Sequence, residues 1–328
     1  MRAAVVKGKC DVVILDIGEP FILRPTEIKI HVTTGAICNT TDNKLYASDS
    51  PEKHWAGKEF PFVIGHECTG RIVEMGSGVE DLKIGDRVVY WTVNCRAFAD
   101  YLILDTEKSV VLAVSDEASE EMAAIMEMVI GSARLLFPED EKPLIGRGDS
   151  VVVIGLGPAG LIYHRIARMM GAAKLAGAGR RALRLETAKK LGADFVIDTD
   201  TPSWHQELLS KLGKHPDVII DATGGDIVSD IIALGDKNTR IIAYGVAPFN
   251  WKERENELIK ADIRPPRNFG VASARIVAPK CIEWLESGKL GLEPVISHRL
   301  PLEEVGRGFD MCRLERDTTL KVLIRINS

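Results

Sequence analysis

The run "SVVVIGLGPAG", Ser150 to Gly160, decides the architecture. Four consecutive β-branched residues lead into Gly155, Gly157 and Gly160, and the helical stretch "LIYHRIARMMGA" follows at once. A buried strand ending in G-x-G-x-x-G and opening a helix has a physical reading. The first glycine permits the tight turn, the second lets the backbone approach a pyrophosphate, and the third lets helix and strand pack closely, with phosphate at the helix N-terminus. Gly155, Leu156, Gly157, Pro158, Ala159 and Gly160 are therefore candidate dinucleotide-binding residues.

Outward from this loop the texture alternates between strand and helix: "AKLAGAG", "ALRLETAKKLGA", "DFVID", "WHQELLSKLG", "PDVIIDATGG", "RIIAYGV". Apolar β-branched runs separated by helices predict a doubly wound α/β domain of Rossmann type, its parallel sheet covered on both faces. About twenty residues past the loop, an NAD-binding version carries an acid for the ribose 2′-hydroxyl. "LAGAGRRALR" has none. Gly179 holds that place, followed by Arg180, Arg181 and Arg184, and guanidinium groups beside a small residue suit a 2′-phosphate. NADP(H) is preferred over NAD(H) on these residues, unless the arginines are only a solvated loop.

Before the loop, from Ala3 to about Val114, short apolar runs are cut by glycine, proline and acidic turns ("EIKIHV", "GRIVEMG", "GDRVVYW", "FADYLIL"), which reads as a β-rich domain. "SDEASEEMAAIMEMVIGSARLLF" predicts a connecting helix with Ser115 or Ser119 as its N-cap. After about Gly270 a helix, "APKCIEWLESGKL", and a closing strand, "LKVLIRI", exceed what the nucleotide sheet needs and are assigned back to the first domain.

Composition sets the outer limits. The 328 residues are 45% hydrophobic and 27% charged, with a net charge of −5, which fits an ordinary globular chain of two domains. No basic stripe suggests nucleic acid, and no apolar stretch is long enough for a membrane span. The six cysteines have no paired spacing, and the N-terminus no apolar leader, so reduced thiols and a cytoplasmic location are expected.

A second constellation lies in the β-rich part. "FPFVIGHECTG", Phe60 to Gly70, sets His66 beside Glu67; Cys38 offers a thiolate and Glu127 a further carboxylate. These are the ligand types of a catalytic zinc, which uses about three protein ligands and keeps one position open. Singly, each has an ordinary explanation: a buried thiol, a turn histidine, a charge on a helix surface.

The longer pattern GHExxGxxxxxGxxV runs through Gly65, His66, Glu67, Gly70, Gly76 and Val79, then "GDRV" at Gly85 to Val88. With "MRAAVV", "ICNTT", the glycine loop, "RLETAKKLGAD" and "SGKLGLEPVISHRLPLEEVGRGFD", the chain resembles the zinc-dependent medium-chain dehydrogenase/reductase superfamily, the alcohol and polyol dehydrogenases, over essentially its whole length. The resemblance implies a GroES-like catalytic domain, residues 1–125 and 268–328, split around a Rossmann domain, residues 126–267, with zinc and nicotinamide meeting in the cleft. It implies Cys38 and His66 as zinc ligands. The third is open: Glu127 is favoured, and Glu67 is a ligand in some members and a supporting group in others. Thr40 matches the family's hydroxyl beside the catalytic cysteine, whereas Asn43 stands where the usual relay histidine would be, leaving water or His54 to carry protons. Only Cys95 follows "GDRV" where members with a structural zinc carry four cysteines, so one catalytic zinc and no structural zinc are expected. The implied activity is hydride transfer between NADP(H) and a small polar alcohol or ketone, such as a polyol, sugar or (amino)cyclitol, in a homodimer or homotetramer. Two competing readings are a zinc-free quinone or enoyl reductase of the same fold and a nucleotide-binding protein without turnover.

Overall fold

The computed structural model describes residues 1–54, 57–92, 96–138, 142–244, 251–264 and 271–327. It divides into two compact units, Met1–Gly131 with Ala278–Lys289 and Ile296–Ser328, and Ser132–Val277 with Leu290–Val295. The crossings fall at Gly131/Ser132 and Val277/Ala278, where the sequence reading has 125/126 and 267/268; the latter pair lies outside the described residues.

The first unit is β-rich. It contains β1 (Arg2–Gly8), β2 (Asp11–Asp16), β3 (Glu27–Ala36), β4 (Phe62–Val63), β5 (Glu67–Met75), β6 (Arg87–Trp91), β7 (Tyr101–Asp105) and β8 (Val110–Val114). The second unit supplies β9 (Ser150–Ile154), β10 (Lys174–Gly179), β11 (Phe195–Asp198), β12 (Val218–Asp221) and β13 (Arg240–Ala243), and the chain then returns to the first with β14 (Ile296–Pro301) and β15 (Lys321–Arg325). In the first unit β2-β1-β4 form a small sheet, and a larger one runs β14-β15-β3-β5-β6-β8 with β7 also on β3. β3 is its hub. Its Ile28, Ile30 and Val32 are fully buried while the residues between them are not, the period-two pattern of a strand with one face on a core. The closing strand joins this sheet by pairing Leu323 with Ala36 and Ile324 with Gly35.

The helical segment after β8 is not one helix. It breaks at Ile125 into α2 (Glu120–Ala124), capped by the Ser119 side chain, and α3 (Met126–Ala133), which begins one residue before Glu127. In chain order α1 is Thr41–Tyr46, and α4 and α5, Pro158–Met169 and Ala182–Lys190, follow β9 and β10.

Among the described residues, five strands of the second unit pair in parallel in the order β11-β10-β9-β12-β13. Every residue of β9 is buried, as a central strand with both faces covered requires. The order reverses between β9 and β12, the switch point beyond whose carboxyl ends open α/β sheets bind ligands.

Candidate active site

The glycine loop sits at that switch point. Gly157 is the N-cap of α4 and Pro158 its first residue, where proline's fixed φ and missing N–H cost nothing. A Cβ on Gly160 would lie 1.8 Å from the Gly155 carbonyl oxygen, so only glycine allows the helix to start this close to the turn. Leu156 is buried, and Ala159 is partly exposed. Gly179 ends β10 beside Asp198 of β11. Arg180 is exposed with Asp200 at 3.7 Å, and Arg181, at φ 74°, is the N-cap of α5, which carries Arg184. The segment presents guanidinium groups and no acid at position 179.

In the first unit, two segments converge. Cys38 follows the end of β3, His66 immediately precedes β5 and Glu67 opens it, and their ligand atoms all lie within 4.8 Å of one another. Around a tetrahedral zinc with bonds of about 2.0–2.3 Å the ligand atoms stand about 3.5 Å apart, so a small contraction would close the set. The turn into His66 depends on Gly65, whose φ is 97° and whose Cβ would sit 2.7 Å from the Phe98 ring.

The groups around the cluster fix its chemistry. His66 Nδ1 is 2.8 Å from the buried Asp42 carboxylate, to which it donates, leaving Nε2 for a metal. The other Asp42 oxygen accepts from the Cys38 backbone N–H at 3.1 Å, and the Thr41 N–H points at the Cys38 sulfur at 3.3 Å. Burial works against a charge on His66, yet Asp42 and Cys38 outweigh it and hold the imidazole well above its ordinary value. A pocket whose field favours a proton on a buried imidazole also favours a divalent cation in that proton's place, and ion binding then releases the proton. Donor set and field both fit zinc.

Glu67 is fully buried and answered by Lys321, also fully buried, with Nζ at 2.8 and 2.7 Å from the two carboxylate oxygens. Lys321 also donates to the Ile37 carbonyl at 2.9 Å. Its burial opposes the charge, but Glu67 and Cys38 prevail and raise its pKa.

Glu127, the favoured third ligand, does not belong to the cluster of mutually adjacent ligand atoms; Glu67 does. Burial pushes the Glu127 carboxyl up to about 8, with Glu67 adding to the effect and His66 and Lys321 opposing it.

Thr40 is exposed at the N-cap of α1. Asn43 is buried, and the Asn39 amide donates to the Leu320 carbonyl at 2.8 Å. His54 is partly buried; burial and Lys44 lower its pKa while Asp42 acts in the other direction. Cys95 lies outside the described residues. Two participants were not identified from sequence. Asp42 was not singled out, although an acid four places after a cysteine at a helix start is the signal that could have found it. Lys321 gives no local signal, 254 positions from Glu67.

Comparison with known proteins agrees with both halves. Residues 24–124 match the alcohol dehydrogenase GroES-like domain family, and residues 158–266 the zinc-binding dehydrogenase family. An L-threonine 3-dehydrogenase of Rhizobium etli (strain CIAT 652) is 28% identical over 344 residues, covering 95% of this chain and 96% of that protein. The sorbitol dehydrogenase of Mus musculus is 28% identical, covering 81% and 80%. Among solved structures, the alcohol dehydrogenase TADH from Thermus sp. ATN1 superposes over all of both chains with a TM-score of 0.83 at 25% identity. With a Rossmann-type sheet, a GroES-like unit and both family matches in one chain, the protein belongs to the zinc-dependent medium-chain dehydrogenase superfamily.

Proposed function

We propose that this protein is a zinc-dependent oxidoreductase moving a hydride between NADP(H) and a secondary alcohol or ketone, with a polyol, sugar or (amino)cyclitol as substrate class. The observation that carries the reading is the convergence of Cys38, His66 and Glu67 within 4.8 Å. Relatives named for threonine and sorbitol, both small hydroxylated molecules, support the class.

When bound, zinc supplies Lewis-acid polarisation of the substrate oxygen and the nicotinamide supplies or accepts the hydride. Cys38, His66 and a carboxylate from Glu67 or Glu127 would hold the metal. Asp42 keeps the imidazole in the tautomer that frees Nε2, and Lys321 balances Glu67. Thr40, exposed two residues after Cys38, passes the hydroxyl proton to or from substrate. In the Rossmann unit the N-terminus of α4 takes the pyrophosphate, and Arg180, Arg181 and Arg184 take the 2′-phosphate.

Metal analysis of purified protein, with hydride exchange measured over a panel of polyols and their ketones, tests the reading. We expect one zinc per chain, and for Cys38→Ser loss of zinc and turnover with NADPH binding retained. A metal-free protein that reduces quinones or enoyl compounds would establish the zinc-free reductase, and a protein without hydride exchange the non-catalytic binder.

A further inference from the structure

Where β5 meets β6 the backbone ladder is short, pairing Gly70 with Val88 and Arg71 with Arg87. Toward His66 side chains continue it. The Thr69 hydroxyl donates to the Val88 carbonyl at 2.8 Å, and the Tyr90 hydroxyl donates to the His66 carbonyl at 2.9 Å. Tyr90 is 1% exposed. Its oxygen is also 3.1 Å from the Cys68 sulfur. A phenol has one proton. With that proton on the His66 carbonyl, the Cys68 thiol is the donor to Tyr90, and a directed chain runs from thiol to hydroxyl to the peptide of a candidate metal ligand.

The neighbouring peptide is held as well, since the Gly65 carbonyl accepts from the Ala97 N–H at 3.0 Å. His66 is thus clamped at its side chain by Asp42 and along its backbone by Ala97 and Tyr90. Losing the last bond would leave a buried carbonyl without its donor, and the peptide can regain a partner only by tilting, which swings the imidazole relative to Cys38 and Glu67.

We infer that Tyr90 is a positioning residue of the metal site, its hydroxyl fixing the His66 peptide so that the imidazole stays aligned with the Cys38 thiolate; this rests on the zinc reading above. Cys68 keeps the hydroxyl aimed.

The test is zinc release from the purified holoprotein into excess chelating dye, with thermal melting of the same variants. Tyr90→Phe keeps the ring and removes the hydroxyl, and Cys68→Ala removes the thiol. Val89→Ala trims a fully buried neighbour on β6 and controls for loss of stability alone. Tyr90→Phe is expected to release zinc about tenfold faster and to alter the visible bands of cobalt(II)-substituted protein. Cys68→Ala should show a smaller acceleration, and Val89→Ala should stay within about twofold of wild type despite a lower melting temperature. Release from Tyr90→Phe at the wild-type rate, or equally fast release from Val89→Ala, overturns the inference while leaving the zinc reading intact. Wild-type protein that holds no zinc sinks both.

Discussion

The glycine loop and the metal cluster are assembled in opposite ways. The loop is one stretch of eleven residues, Ser150 to Gly160, whose strand, turn and helix start follow from its own composition. The metal cluster is drawn from Cys38, Asp42, His66, Glu67 and Lys321, and its buried charges are balanced only once β3, β5 and β15 are paired. A site of the first kind is written locally and tolerates distant change; one of the second kind fails when any remote member is lost.

That contrast can be broken experimentally. Lys321→Met leaves Glu67 buried and unpaired, and is expected to cost about 3–5 kcal/mol of stability in the metal-free protein. Adding Glu67→Gln should recover much of the loss. Denaturant midpoints of the two variants measure it, and a neutral Lys321→Met would mean that the first unit does not depend on its remote pair.

The second unit has a buried ionisable group of its own. His164 on α4 is fully buried, donates from Nδ1 to the Gly160 carbonyl at 2.8 Å, and is pushed by burial from 6.5 down to about 4. The folded chain therefore binds fewer protons than the unfolded chain between those values. Stability present above pH 6.5 drains as pH falls through the window, by about 3 kcal/mol in all. His164→Asn should be weaker at pH 8 but lose less on acidification to pH 5, as denaturation at both pH values would show. An unchanged acid slope would place the sensitivity elsewhere.

The smallest effect belongs to the arginines after β10. Arg180→Ala with Arg181→Ala should weaken NADP(H) binding about tenfold more than NAD(H) binding, with little change in stability. Equal losses for the two cofactors, read by fluorescence titration, would remove the physical basis of the NADP(H) preference.

The same contrast explains what was legible in the sequence. The alternation in β3, the apolar run of β9 and the glycine spacing each carry their own signal, because a strand's faces and a turn's sterics are local properties. Cys38 and His66 were recognisable as ligand types. The ion pair that holds Glu67 beside them was not, since Lys321 reaches it only in the closed sheet. Asp42 and Tyr90 were hidden for the same reason: what each does is set by an atom of His66, 24 positions away from both.

X-ray absorption at the zinc edge of the purified protein tests the convergence of thiolate, imidazole and carboxylate most directly. The account predicts a single sulfur at about 2.3 Å with nitrogen and oxygen neighbours at about 2.0–2.2 Å, and loss of the sulfur shell in any zinc retained by Cys38→Ser. A spectrum without sulfur, or a sulfur shell that survives Cys38→Ser, would contradict it.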